Sequence, residues 1–165
     1  MLKWKVEPMK SAAWTAWSRS LTVRAALVVA VLVMMTLAGA AEAQVSIWGG
    51  VYTKAQSTRG EKLYSGACAQ CHGLRLNGAG QPDQPPSPAI ARATFLRKWD
   101  GKTVAELFTY VREMMPTDAP GTLTEQQAID AIAHMLAVSE IPAGDKELPP
   151  DPKVLVGIVI NAQSK

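Results

Sequence analysis

The sequence predicts an all-α domain, and three observations carry that prediction. Capping boxes stand at Thr103-x-x-Glu106 and Thr124-x-x-Gln127, each opening a run of apolar residues at helical spacing. Upstream, Leu63, Tyr64 and Ala67 share a third helical face. No apolar–polar alternation of useful length appears before the C-terminal tail. At 165 residues, 48% hydrophobic and 19% charged, the chain has the size of one ordinary domain.

Residues 1–43 read as an export signal. Lys3, Lys5, Lys10, Arg19 and Arg24 precede the uncharged residues 25–41, and Ala41-Glu42-Ala43 supplies small residues for cleavage before Gln44. The alternative is an uncleaved anchor, because 17 uncharged residues sit at the lower edge of what spans a bilayer. Only Glu7 and Glu42 oppose the five basic groups of this segment. The formal charge of +3 therefore resides there, and residues 44–165 carry no net charge. A basic footprint for nucleic acid is missing, so that class of partner is excluded.

A lead-in, 44–56, contains Trp48 and a Gly49-Gly50 break. The first helix is expected over 57–68, capped by Ser57 or Thr58. Next comes a loop, 73–88, containing Gly73, Gly78, Gly80, Pro82, Pro85, Pro86 and Pro88. A loop of this length and composition in a small domain is disordered or wrapped over something. Regular structure is expected to resume at Thr103, where Val104, Leu107, Phe108 and Val111 form the buried stripe. Pro116, Pro120 and Gly121 interrupt the chain, and Ile129, Ile132, Ala133 and Leu136 mark the last helix. The tail, 145–165, contains an apolar stretch at 154–160, expected to pack on the domain as a strand or an irregular cover. Three helices bury only a thin core, so something further is expected to fill the middle.

Cys68-Ala69-Gln70-Cys71-His72 names that filler. Two thiols three positions apart, followed at once by histidine, form the attachment pattern of c-type haem. Each thiol adds to a vinyl group, and the adjacent imidazole reaches the iron. The motif uses both cysteines of the chain and suits an exported protein, because such haem is attached after export. A thioredoxin-type disulfide needs a strand before the motif, whereas a helix is expected here. A structural zinc would need Cys68, Cys71, His72 and His134 together. Soft thioether sulfur in the second axial position raises the potential and closes the iron to other ligands. Met114, Met115 and Met135 are the candidates. Met135 lies within the last helix and reads as core filler, and spacing alone does not separate Met114 from Met115.

Gly60-x-x-x-Tyr64, Cys68-Ala69-Gln70-Cys71-His72-Gly73, Pro88, Phe95-Leu96-x-x-Trp99 and the run Met115 to Leu123 resemble, in that order, a class I monohaem cytochrome c. The likeness covers 57–144 and is nearest to the cytochromes of quinoprotein (PQQ) alcohol dehydrogenases. It implies the cytochrome c fold, helices wrapped around one haem c held covalently through Cys68 and Cys71. It also implies His72 and Met115 as axial ligands, with Met114 a neighbour. By the same resemblance the Pro88 carbonyl orients His72, with Pro86 as the fallback, and Trp99 lies near the haem edge unless it simply fills the core. His134 departs from the aromatic residue usual at that position. It is expected to pack where the last helix crosses the first at Gly60, with bis-histidine ligation as the minor alternative.

The function expected from these residues is one-electron transport in the periplasm. The resemblance implies a periplasmic dehydrogenase as donor and an oxidase or another cytochrome as acceptor, with a membrane involved only if the N-terminal segment is uncleaved. The chain is then a free shuttle or a subunit of a dehydrogenase complex rather than an enzyme itself. The alternative is a haem enzyme or gas sensor with an open sixth position, against which Met115 before Pro116 argues.

Overall fold

The computed structural model describes residues 44–79, 82–83 and 87–162. The expected signal segment, its cleavage site before Gln44, and Gly80, Pro85 and Pro86 of the loop lie outside the described residues. Among the described residues, six α-helices, a 3-10 turn (Ile47–Gly49) and one short two-stranded pairing make up the regular structure: β1 (Val45–Ser46), α1 (Lys54–Ala67), α2 (Ala69–His72), α3 (Arg92–Trp99), α4 (Val104–Met114), α5 (Glu125–Val138), α6 (Pro152–Leu155) and β2 (Ile158–Val159).

Helix α1 starts three residues earlier than the sequence suggested. Its cap is Thr53, whose hydroxyl accepts from the Gln56 amide at 3.1 Å. Ser57 and Thr58, the expected caps, lie in the first turns and donate back to the Lys54 carbonyl, each at 3.0 Å. Hydroxyl residues inside a helix commonly bond in this way, which makes them poor boundary markers.

Helix α3 is a second correction, because regular structure resumes here and not at Thr103. Its N-cap is Ala91, which offers no side-chain acceptor, and Arg92 has φ +58°. The Arg92 amide instead donates to the hydroxyl of Ser139, at 2.8 Å. The cap arrives from a residue distant in sequence, so no local signal marks the start. Phe95 and Leu96 bury the inner face.

Helices α4 and α5 follow the expected pattern. Both capping boxes close in both directions, Thr103 with Glu106 and Thr124 with Gln127. Val104, Leu107, Phe108 and Val111 are buried on α4, as are Ile129, Ile132, Ala133 and Leu136 on α5.

The α1–α5 crossing organises the domain. A Cβ on Gly60 would meet the Asp130 carbonyl oxygen at 1.8 Å, so only glycine permits this approach. Arg59 clamps the crossing from outside, its Nε 2.9 Å from Asp130 and its Nη1 2.8 Å from Glu147. At its edge the Gln56 amide is fully buried and exchanges two hydrogen bonds with the Leu148 backbone, at 2.8 and 2.9 Å.

The lead-in and the tail join the same core. Ile47, Tyr52, Leu148, Leu155, Ile158 and Ile160 cluster with the helical residues. β1 and β2 pair in parallel, Val45 opposite Ile158 and Ser46 opposite Val159. These end segments thicken the core that three helices alone left thin.

Candidate haem-binding site

Cys68 ends α1 and opens α2, a single helical turn. The amides of Cys71 and His72 both donate to the Cys68 carbonyl, at 3.2 and 2.9 Å, and the Gly73 amide donates to Ala69 at 2.9 Å. Residues three apart in such a turn face the same way, so both thiols project from one side. Both cysteines are partly buried. Burial, assisted by Cys71, pushes the Cys68 thiol up to about 11, so it is protonated at neutral pH and a poor nucleophile in the folded chain.

The chain then reverses at Gly73, whose φ is +74°. A Cβ there would stand 2.4 Å from the Ala79 carbonyl oxygen. The Tyr64 hydroxyl donates to the Gly73 carbonyl at 2.7 Å, and the Gly78 amide donates to His72 at 2.9 Å. Gly78 is equally confined, with room for no Cβ against the Ser87 carbonyl oxygen at 2.3 Å. That contact brings the far end of the loop beside the near end. His72 Nδ1 consequently lies 3.0 Å from the Pro88 carbonyl oxygen. A carbonyl only accepts, so Nδ1 carries the proton and Nε2 keeps its lone pair for a metal. This is the usual way a ligand histidine is oriented.

Met115 is the C-cap of α4, in extended conformation, its amide donating to Val111 at 3.2 Å. The structure separates the two adjacent methionines. Met114 is 52% exposed on the outside of α4, whereas Met115 is partly buried. Trp99, half-buried at the end of α3, meets the Tyr110 ring edge-on at 5.8 Å, with Lys102 Nζ 5.7 Å from its own ring. Met135 is buried in the core, as expected.

His134 is 8% exposed and lies against the Tyr64 ring, centroids 5.3 Å apart, at the Gly60 crossing. Burial lowers its pKa, with Glu61 pulling weakly the other way. No group of three or more His, Cys, Asp or Glu side chains among the described residues could hold a metal ion, which removes the zinc alternative. Sequence reasoning missed the Tyr64 hydroxyl bond to Gly73, since a tyrosine eight residues before His72 carries no local mark of it.

The donor set fits haem c: two thiols on one turn and an imidazole with one nitrogen committed to a carbonyl. Residues 55–135 match the family described as cytochrome c oxidase, cbb3-type, subunit III. That stretch runs from the start of α1 into α5, a little under half of the chain. No curated protein and no solved structure gives a significant match. Residues 55–135 are thus similar to a cytochrome c family domain, and the helical architecture and the thiol–thiol–histidine turn agree with that likeness.

Proposed function

We propose that the chain is an exported one-electron carrier with one haem c, attached through Cys68 and Cys71 and ligated by His72 and Met115. The observation that carries this reading is the His72–Pro88 hydrogen bond on the turn that bears both thiols. When bound, the haem supplies a one-electron Fe(III)/Fe(II) couple. His72 offers Nε2 because Pro88 holds Nδ1–H, and the Gly73 and Gly78 contacts fix the backbone on either side. Met115 offers a thioether from a helix terminus backed by Pro116, a neutral soft donor that favours the ferrous state. With His72 and Met115 both holding the haem, water and diatomic ligands would be kept from it.

Electrons arrive from a periplasmic dehydrogenase, a quinoprotein by the resemblance, and leave towards the respiratory chain. The family description favours the oxidase side for the acceptor. The absence of net charge over 44–165 fits a brief encounter steered only weakly by charge.

An anaerobic redox titration of the holoprotein, followed by separate assays with added peroxide and with oxygen, tests the reading. A single reversible one-electron transition, with no peroxide or oxygen turnover, is the expected result. Turnover of peroxide or oxygen at the haem would replace the carrier with an enzyme.

A further inference from the structure

Among the large exposed apolar side chains of the described residues, three valines belong to the segments that pair where the chain enters the domain, whereas Leu74, 76% exposed, lies on the loop after His72. Val154 and Val156 are 46% and 53% exposed, and Val45 is 49% exposed. The Val45 amide donates to Gly157 at 2.8 Å, the residue directly after Val156. Val156 also shares a shallow groove with Tyr110 and Met114 of α4. Glu106 and Glu113 also line that groove.

The preceding chain says what covers the valines. Residues 25–41 are 17 in number and carry no charge, and Val45 follows Ala41 by four residues. Fully extended, that link spans about 14 Å. A segment 25–41 held in hydrocarbon therefore keeps Val45 within or just above the headgroup layer, which is about 5–8 Å deep on each side.

We infer that residues 25–41 remain as a membrane anchor and that Val45, Val154 and Val156 rest in the lipid headgroup layer. Lys153, exposed and next to Val154 in the chain, supplies a positive charge for lipid phosphates. This takes the anchor alternative over cleavage before Gln44, because cleavage leaves the three valines facing water with nothing to cover them. It stands apart from the carrier reading, which holds for an anchored or a released domain.

The test uses the full holoprotein in phosphatidylcholine–phosphatidylglycerol vesicles doped with a phospholipid carrying a diazirine near its glycerol. Intact mass gives the N-terminus, and digestion after photolysis locates the lipid adducts. The account predicts a retained residue 1–43 segment and adducts on the 154–165 peptide well above those on 55–59 of α1. A V154E/V156E double variant stays membrane-bound with an unchanged haem spectrum, and its 154–165 adducts drop to the 55–59 level. A soluble chain beginning at Gln44 overturns the inference. So does a bound chain whose 154–165 peptide is labelled no more than 55–59, or whose labelling the double variant leaves unchanged. The haem spectrum and potential, read on the same samples, report separately on the carrier reading.

Discussion

The segment around His72 is tied to itself, whereas the segment around Met115 is held mainly by the helix that precedes it. Between Tyr64 and Ile90 the Cys68 carbonyl takes two amides, Tyr64 locks Gly73, Gly78 returns to His72, and Pro88 holds the imidazole. Glycines at 73 and 78 leave no space for a side chain. Met115 has one backbone bond to Val111, followed by a turn in which the Ala119 amide meets Pro116 at 3.0 Å. His72 is built into a local scaffold and Met115 is presented from a helix end. The histidine side therefore tolerates little change, while the methionine side can lose its donor and keep the fold.

The largest break comes from the thiols. Replacing Cys68 and Cys71 together by alanine removes both attachment points, and acidified organic solvent should then extract all of the haem, where the parent protein retains it. Haem that stays with the variant protein would refute attachment at this turn.

Met115→Ala is expected to leave haem attached and helices intact. The potential should fall by on the order of 0.1 V, as loss of a thioether ligand does. Met114→Ala should leave the potential near that of the parent, since that side chain is on the outer face of α4. A reversed pair of results would exchange the roles of the two methionines.

Tyr64→Phe sharpens the comparison on the histidine side. It leaves the Gly73 carbonyl without the hydroxyl that now meets it at 2.7 Å. A buried acceptor stripped of its donor costs about 1–3 kcal/mol, read by denaturant unfolding.

The smallest effect concerns His134. Burial sets its folded pKa below the ordinary 6.5, so the unfolded chain binds the proton more readily than the folded one. Its contribution to stability is whole above about pH 6.5 and declines as pH falls from there through the lower folded value. Glu61 moderates the shift. His134→Phe should flatten the midpoint against pH in that window. An unchanged slope would assign the acid sensitivity to other groups.

Where structure is local, the sequence announces it. The haem motif, the two capping boxes and the apolar stripes of α4 and α5 each sit within a few consecutive residues, and all are found where spacing put them. Helix α3 escaped because its first amide is satisfied by Ser139 and not by a neighbour. The start of α1 was misplaced because Thr53, Ser57 and Thr58 are all credible caps, and packing of the buried Gln56 against Leu148 decides among them. The site divides in the same way. Cys68, Cys71 and His72 were legible from adjacency alone, and Pro88 came from resemblance and stands 3.0 Å from His72. Spacing left Met114 and Met115 open, the resemblance selected Met115, and in the folded chain Met115 is the more buried of the two.

The central claim is a closed His72/Met115 site, and an absorption spectrum of the exported holoprotein tests it most directly, ferric and then ferrous, before and after carbon monoxide. The account predicts a low-spin c-type spectrum with the far-red sulfur-to-iron band and no change on adding the gas. A high-spin ferric form, or a ferrous spectrum shifted by carbon monoxide, would contradict it and mark the sixth position as open.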